Sequence, residues 1–462
     1  MSVFIASIYV LQRRNALKIN RKSFIKHHSG QIKSSFDNYN EDRVNQIGKA
    51  CGFIKRQRKL SAFEFVNSLM FSVNHQANTS LPDMSADLNK SFEVDISKEA
   101  LHKKFNSQTV GFLKELLKEQ IGEQLDLTVD DHLKKHFKAI KVKDSSKFSV
   151  PSLYGGDYPS FNNFSRKNGV MNLQYEYDLM SGKWSSLEIT NIKNNDQQES
   201  KRTVHLLKKG ELYIRDLGYI SPTYLKGFKQ VGAGFLNRMP AQASIFDKKG
   251  NALRWVEIDR KFKKTSIKEL DMEVEIYQGH RIKCRMVVIP LSGDESRARL
   301  KQAMDSAKSR QVGISKDHRI RCRYSVFITN IDKGQLPVAS IRKTYQLRWQ
   351  IELVFKTWKS FFSINKVKKV KKERMECQLL ARFLWIVLNW QLFRVCNHHI
   401  KGKDEKNGIS ILKFFKRCNS FSQSLRAVII KPKHLRKWLM YEFLPLIENT
   451  LCEACLLYTS PS

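Results

Sequence analysis

The chain has 462 residues, room for two to four domains with substantial cores, and sets 82 Lys and Arg against 44 Asp and Glu, a net charge of +38. Such an excess attracts polyphosphate and makes nucleic acid the leading partner, with a ribosome-associated or merely cationic protein as the bland alternative. Phe, Tyr and Trp at 11% exclude a disordered basic tail.

In chain order, MSVFIASIYVL at the start has neither a preceding basic region nor an A-x-A-like cleavage site, so no secretory signal is expected. The first 130 or so residues read as helical and basic. SAFEFVNSLMF is an apolar-periodic helix with Ser61 as N-cap. SLPDMSADLNK and ISKEALHKKF form two short helices about a turn at SFEVD, the second opening at Ser97. That is the layout of a helix-turn-helix, with Lys98, His102 and Lys103 facing a groove and Ile96, Ala100, Leu101 and Phe105 packing inward. From about residue 136 the period becomes alternating, and KAIKVKDSSKFSV, VMNLQYEYDLMSGKW and WSSLEITNI read as a three-stranded meander. A helical stretch (ESKRTVHLLKK), a strand (ELYIRDLGY), a helix (SPTYLKGFKQ) and a strand (AGFLNRM) follow. Residues 242 to 315, with SIFDKKGNALRWVEIDRKF and ELDMEVEIYQGHRIKCRMVVIPL, read as strand-rich, and YSVFITNI as one more strand. LLARFLWIVLNWQLF carries Arg382, Asn389 and Gln391 and falls short of the roughly 20 residues a membrane span needs, so it is expected to be a buried helix of a cytoplasmic protein.

Eight cysteines are scattered, with Cys452 and Cys455 the single close pair, and Cys396 with His398 and His399 lacks a second half. Neither group makes a zinc site or a disulfide framework, and the thiols are expected to be reduced. The ending LCEACLLYTSPS loses periodicity and resembles junction sequence, and the first twenty or so residues look like an extension from an upstream start.

The chemistry concentrates in YQLRWQIELVFKTWK. On a single α-helix Tyr345, Arg348, Glu352 and Lys359 share an edge about 60° wide. Leu347, Ile351, Val354, Phe355, Trp358 and Phe362 fill the adjoining apolar arc. An acid on a basic edge suits a cation, and Mg²⁺ prefers carboxylate oxygen. Asp144 closes the first strand and Asp216 the fourth, where neighbouring strand ends can bring both carboxylates to Glu352. Asp130, Asp131 and Asp157 lie close enough to compete with Asp144 for that place. Three antiparallel strands followed by helix, strand, helix, strand is the order of a ribonuclease-H-like α/β core.

These residues resemble one family: bacterial insertion-sequence DDE transposases bearing the Y-x2-R-x3-E-x6-K signature, the hairpin-forming subgroup that contains the Tn-five transposase. Tyr345, Arg348, Glu352 and Lys359 match the signature without gap, Asp144-Ser145-Ser146 its Asp-(Ser/Thr) turn, and Asp216-Leu217-Gly218-Tyr219 its second Asp with a nearby Gly-Tyr. The resemblance spans about 50 to 400. It implies that Asp144, Asp216 and Glu352 are catalytic and ligate two Mg²⁺ ions, with Mn²⁺ as a substitute. It implies that Tyr345, Arg348 and Lys359 hold phosphates beside a flipped base, that Arg238 meets DNA near the site, and that Tyr324 stacks on that base. The implied partners are double-stranded DNA, both transposon ends and target, and a second copy of the chain on DNA, without a membrane. The expected layout is a helical DNA-binding domain (1–135), a ribonuclease-H-like core in two parts (136–241 and 316–400) around a β-strand insertion (242–315), and a helical C-terminal region (401–462). A transposase-derived DNA-binding protein without catalysis and a ribonuclease-H-like nuclease are the rival readings.

Overall fold

The computed structural model describes residues 19–56, 59–75, 80–121, 131–160, 168–181, 184–401, 407–448 and 450–453. The start of the chain, Asp130, Cys455 and the last residues of the tail lie outside them. Six helices come first: α1 (Arg21–Asp37), α2 (Glu41–Ala50), α3 (Ala62–His75), α4 (Leu81–Phe92), α5 (Lys98–Lys104) and α6 (Ser107–Ile121). After the short α7 (Asp131–His136) follow β1 (Ala139–Val150), β2 (Gly169–Asp178), β3 (Trp184–Asn191), α8 (Asp196–Arg202), β4 (Glu211–Arg215), α9 (Pro222–Val231) and β5 (Gly234–Arg238). The next stretch holds β6 (Ile245–Phe246), α10 (Trp255–Thr265), β7 (Leu270–Ile276), β8 (Ile282–Pro290), α11 (Gly293–Ser309), α12 (Lys316–Arg321) and β9 (Tyr324–Thr329). Then come α13 (Val338–Gln346), α14 (Trp349–Phe361), α15 (Lys372–Lys401), α16 (Ile411–Cys418) and α17 (Ser422–Ile430).

The chain forms two compact units that interleave in sequence. One is Met1–Asp126, Phe148–Val170 and Val354–Thr459; the other is Leu127–Lys147, Met171–Leu353 and Ser460–Ser462.

The first unit is helical and built around α15. Phe383, Leu384, Trp385, Ile386 and Val387 are fully buried, so this apolar helix serves as a core. Two of its polar side chains bond to backbone carbonyls inside the unit: Arg382 donates to those of Ser363 (2.8 Å) and Lys366 (2.9 Å), and Asn389 to that of Trp385 (2.8 Å). Arg426 on α17 holds Asp87 of α4 with two bonds of 2.6 and 2.8 Å and Asn67 of α3 with one of 2.7 Å, tying distant segments together. Helix starts follow the capping chemistry expected of Ser. Ser61 and Glu64 cap α3 reciprocally, Ser80 and Asp83 cap α4, and the Ser97 hydroxyl accepts the Ala100 N–H at the head of α5. Leu101 and Phe105 are buried as expected, Ile96 only partly, and Ala100 faces solvent. Val94, at the end of the turn, takes the inward place instead. The described cysteines Cys51, Cys284, Cys322, Cys377, Cys396 and Cys418 are free thiols.

The second unit is organised by a nine-stranded mixed sheet in the order β3-β2-β1-β4-β5-β9-β8-β7-β6. β1 runs parallel to β4, the last matched pair being Lys143 and Arg215, and β4 parallel to β5. β9 lies antiparallel to both β5 and β8. The segment 242–315 is therefore less β-rich than its alternation suggested. WVEIDRKFKKT is the helix α10, which buries Trp255, Ile258 and Phe262 at helical spacing, and α11 is a second helix with no buried residue. The two long strands of the segment, β7 and β8, extend the common sheet, because the β8 edge pairs with β9 from Arg285 to Pro290.

Charge is buried beneath the strand ends. Lys143 on β1 is ion-paired with Glu199 on α8, and Arg215 on β4 with Glu176 on β2 at 2.8 Å. Burial works against both members of the first pair, yet Lys143 together with Asn194 and Arg202 holds the Glu199 carboxyl down at about 2. Glu199→Ala strands the Lys143 ammonium and is expected to cost about 3–5 kcal/mol, read as a lower midpoint of urea unfolding. A carboxyl depressed on folding contributes stability above its unfolded pKa that is lost as pH falls through the folded value. The wild type should thus lose this contribution below roughly pH 4.3, and the variant should show a flatter acid limb.

Candidate functional site

The parallel pairing of β1 and β4 ends at Lys143 and Arg215, and the next residue on each strand is an aspartate, Asp144 and Asp216. Asp144 does not close its strand as the sequence suggested. β1 continues to Val150, held extended by inward-facing Phe148 and Val150, so Asp144-Ser145-Ser146 makes no turn. Instead the Ser145 N–H donates to the Asp144 carboxylate at 2.8 Å. Asp216 heads a single helical turn through Tyr219. Gly218 is closely approached there, since a Cβ would come within 2.9 Å of the Asp196 carboxylate, which would have to shift. Tyr219 is fully buried with its hydroxyl on Gln174.

Tyr345, Arg348 and Glu352 do not share one unbroken helix. Tyr345 lies in the last turn of α13, which ends at Gln346, and α14 begins at Trp349. Between them Leu347, Arg348, Gln350 and Ile351 bond three residues back, to Thr344, Tyr345, Leu347 and Arg348. Nothing local demands this tightening, for no Gly or Pro is present. Its cause is tertiary: the Arg348 guanidinium reaches three carboxylates at once, Glu352 at 2.6 Å, Asp144 at 3.4 Å and Asp216 at 3.9 Å. A charge-assisted hydrogen bond of roughly 1.5–3 kcal/mol, such as that to Asp144, outweighs helix propensities of at most about 0.7 kcal/mol per residue. The apolar arc forms as read, with Ile351, Val354, Phe355, Trp358 and Phe362 buried and Leu347 half-buried.

Three carboxylates around one guanidinium leave two net negative charges. The excess registers on Asp144: burial first, then Asp216 and Glu352, push its carboxyl up to about 7 against the pull of the Ser145 N–H and Arg348. An all-oxygen anionic donor set of this kind suits a hard divalent cation. In this conformation the guanidinium separates the three groups, and among the described residues no three His, Cys, Asp or Glu side chains are spaced to share one metal ion. His399 pairs with His28 at 3.0 Å and Cys396 is buried, so this trio builds no metal centre.

The other expected residues are dispersed. Tyr345 is buried, its ring 5.3 Å from Phe327 and 5.5 Å under the exposed Arg238 guanidinium, and burial pushes its hydroxyl up to about 12. Tyr324 offers no stacking face: it is buried against Phe262 and Trp255 and donates its hydroxyl to Asp259 at 2.7 Å. A strand aromatic facing α10 has no other place to go. Lys359 stands on the part of α14 that belongs to the helical unit, half-buried, with its ammonium lowered by desolvation. Lys98 and Lys103 are exposed on α5, Lys98 lying 3.7 Å from Glu99. Of the rivals to Asp144, Asp157 is ion-paired with Lys372 at 2.6 Å in the helical unit, Asp131 opens α7, and Asp130 is outside the described residues. Sequence reasoning missed Lys143, Glu199, Arg215 and Glu176 as supports of the site. The available signal was a basic residue directly before each aspartate, Lys143 before Asp144 and Arg215 before Asp216.

The chain belongs to the transposase DDE-domain family, whose model matches residues 135–388. It is 29% identical over 364 residues to the transposase for insertion sequence element IS231F of Bacillus thuringiensis subsp. israelensis, covering 75% of this chain and 76% of that one. It is 26% identical over 430 residues to the transposase for IS1151 of Clostridium perfringens, covering 89% of each. Among solved structures it matches the piggyBac transposase synaptic complex with hairpin DNA at a TM-score of 0.40 and 8% identity, covering 90% of this chain and 85% of that one.

Proposed function

We propose that this chain is the cut-and-paste transposase of a bacterial insertion sequence, of the Tyr-Arg-Glu-Lys subgroup, working from a ribonuclease-H-like core. The observation that carries the reading is the meeting of Asp144, Asp216 and Glu352 around one cation, the two aspartates each following the last matched pair of the adjacent parallel strands β1 and β4. The order β3-β2-β1-β4-β5 in that half of the sheet supports the core assignment. Asp144, Asp216 and Glu352 would hold Mg²⁺, which when bound lowers the pKa of an attacking water or hydroxyl and stabilises the leaving oxygen of a phosphodiester. On this reading the protein frees a 3′-OH at the element's end, directs it to the opposite strand to form a hairpin, and after resolution directs it to target DNA. Arg348 and Lys359 bind backbone phosphates beside the flipped nucleotide. On the same reading Arg238, exposed over the Tyr345 ring, contacts a further phosphate. The working form is a dimer on DNA in the bacterial cytoplasm.

The test is incubation of the protein and Mg²⁺ with DNA carrying its own flanking inverted repeats, with nicked, hairpin and inserted products resolved on gels. A product set that stops at nicking, with RNA–DNA hybrids cut equally well, would instead identify a nuclease. The α4–α5 pair provides end binding through Lys98 and Lys103. Replacing both with Ala should lower the salt-dependence slope of end binding by about 1.8, roughly 0.9 for each B-DNA phosphate that is no longer neutralised. An unchanged slope removes α5 from the interface.

A further inference from the structure

A cavity of about 510 Å³ lies against α11, α12, the end of β5 and the start of β9, within the size range of small-molecule sites, about 300–1,000 Å³. Its lining includes four arginines, Arg238, Arg299, Arg310 and Arg321, with His318 and no carboxylate. Arg299 and Arg321 each donate to the same backbone oxygen, that of Tyr324, at 2.8 Å, so two like charges converge without an acid between them. The carboxylate that acts on Arg299, Glu295, is itself bonded to Arg342 at 2.6 Å. Arg321 is buried over the Trp255 ring at 4.8 Å, and its Nε has no hydrogen-bond partner. Burial, with the charges of Arg299 and Arg238, pushes this guanidinium down to about 9. Burying unpaired charge is costly unless a counter-charge completes the site. The rest of the wall is largely apolar, with Met239, Ala307 and Val326.

We infer that this cavity binds a nucleoside phosphate, its phosphate against Arg299, Arg310 and Arg321 and its sugar and base against the apolar wall. The occupant is either a free nucleotide or the terminal nucleotide of a DNA strand, which share this chemistry. A free nucleotide goes beyond the transposase reading, whereas a strand end deepens it and rests on it; neither depends on cleavage.

Isothermal titration of the full-length protein in EDTA with 2′-deoxyadenosine 5′-monophosphate, and with a 5′-phosphorylated single-stranded pentanucleotide, tests it. At least one probe should bind, and Arg310→Glu should weaken that binding at least tenfold. Arg310 is exposed, with Ser306 as its side-chain partner, so the fold should survive the change. Lys301→Glu, exposed on the same helix and absent from the lining, makes the same charge change and should leave binding intact. Binding of the mononucleotide as tight as that of the pentanucleotide identifies a free nucleotide; binding of the pentanucleotide alone identifies a strand end. Failure of both probes, or equal weakening by both variants, overturns the inference. Glu352→Gln should leave this binding unchanged, so failure here and failure of the catalytic reading are separately visible.

Discussion

Replacing Glu352 with Gln is expected to abolish strand cleavage while binding of end DNA persists. Gln keeps the size of the side chain and an oxygen that can still accept from Arg348, whose guanidinium lies 2.6 Å from Glu352. What disappears is one of three anionic donors. A carboxylate in this position is asked to support about 4 kcal/mol of charge stabilisation at the reacting phosphodiester, which corresponds to a loss of about 10³-fold in rate. Removing the negative charge also relieves Asp144, one cause of whose raised carboxyl pKa is Glu352. The variant should therefore fold normally and melt no lower than the parent. Cleavage rates from single-turnover assays, set beside dissociation constants from gel shifts, separate the outcomes. A parallel fall in binding and cleavage would mean that Glu352 supports the fold through Arg348 and takes no part in the chemistry.

Arg348→Ala should separate two steps of the reaction. If the guanidinium grips a phosphate beside a flipped nucleotide, its loss matters most when the strand must fold back on itself. Flipping costs a few kcal/mol, and one charge-assisted contact supplies roughly 1.5–3 kcal/mol, so the hairpin step should slow about 10- to 100-fold beyond any effect on nicking. First-strand nicking should remain measurable. An abasic substrate, which has no base to flip, should recover part of the hairpin yield. Lys359→Ala should follow the same pattern more weakly, since it leaves the guanidinium among the carboxylates in place. Loss of nicking and hairpin formation in equal measure, without abasic rescue, would sink the selective role. Arg348 would then serve mainly as the cation that holds Asp144, Asp216 and Glu352 together.

Much of this protein is legible in its amino-acid sequence. Ser61, Ser80 and Ser97 sit where helices begin because a hydroxyl that satisfies an orphan N–H is a local matter, settled within three residues. The apolar arc of α14 follows from side-chain period alone, whereas β2, which alternates in sequence, is buried along its whole length. The approach of Asp144 and Asp216 is equally readable, since the parallel pairing of β1 and β4 brings the residues after Lys143 and Arg215 together. Other features are settled only by interactions between segments far apart in the chain. WVEIDRKF can alternate as a strand or bury every third to fourth residue as a helix, and packing of Trp255 and Phe262 against Tyr324 chose the helix. That same choice buried Tyr324. The tightened turn at Arg348 contains no Gly or Pro, and there the guanidinium meets two carboxylates distant in sequence, Asp144 and Asp216, besides that of Glu352 four residues on. Local sequence thus determined where elements start and which face turns inward, for those terms act over a few residues. The tertiary structure decided which charges meet, because a guanidinium and a carboxylate some two hundred positions apart have no shared local signal until the sheet places them within 4 Å.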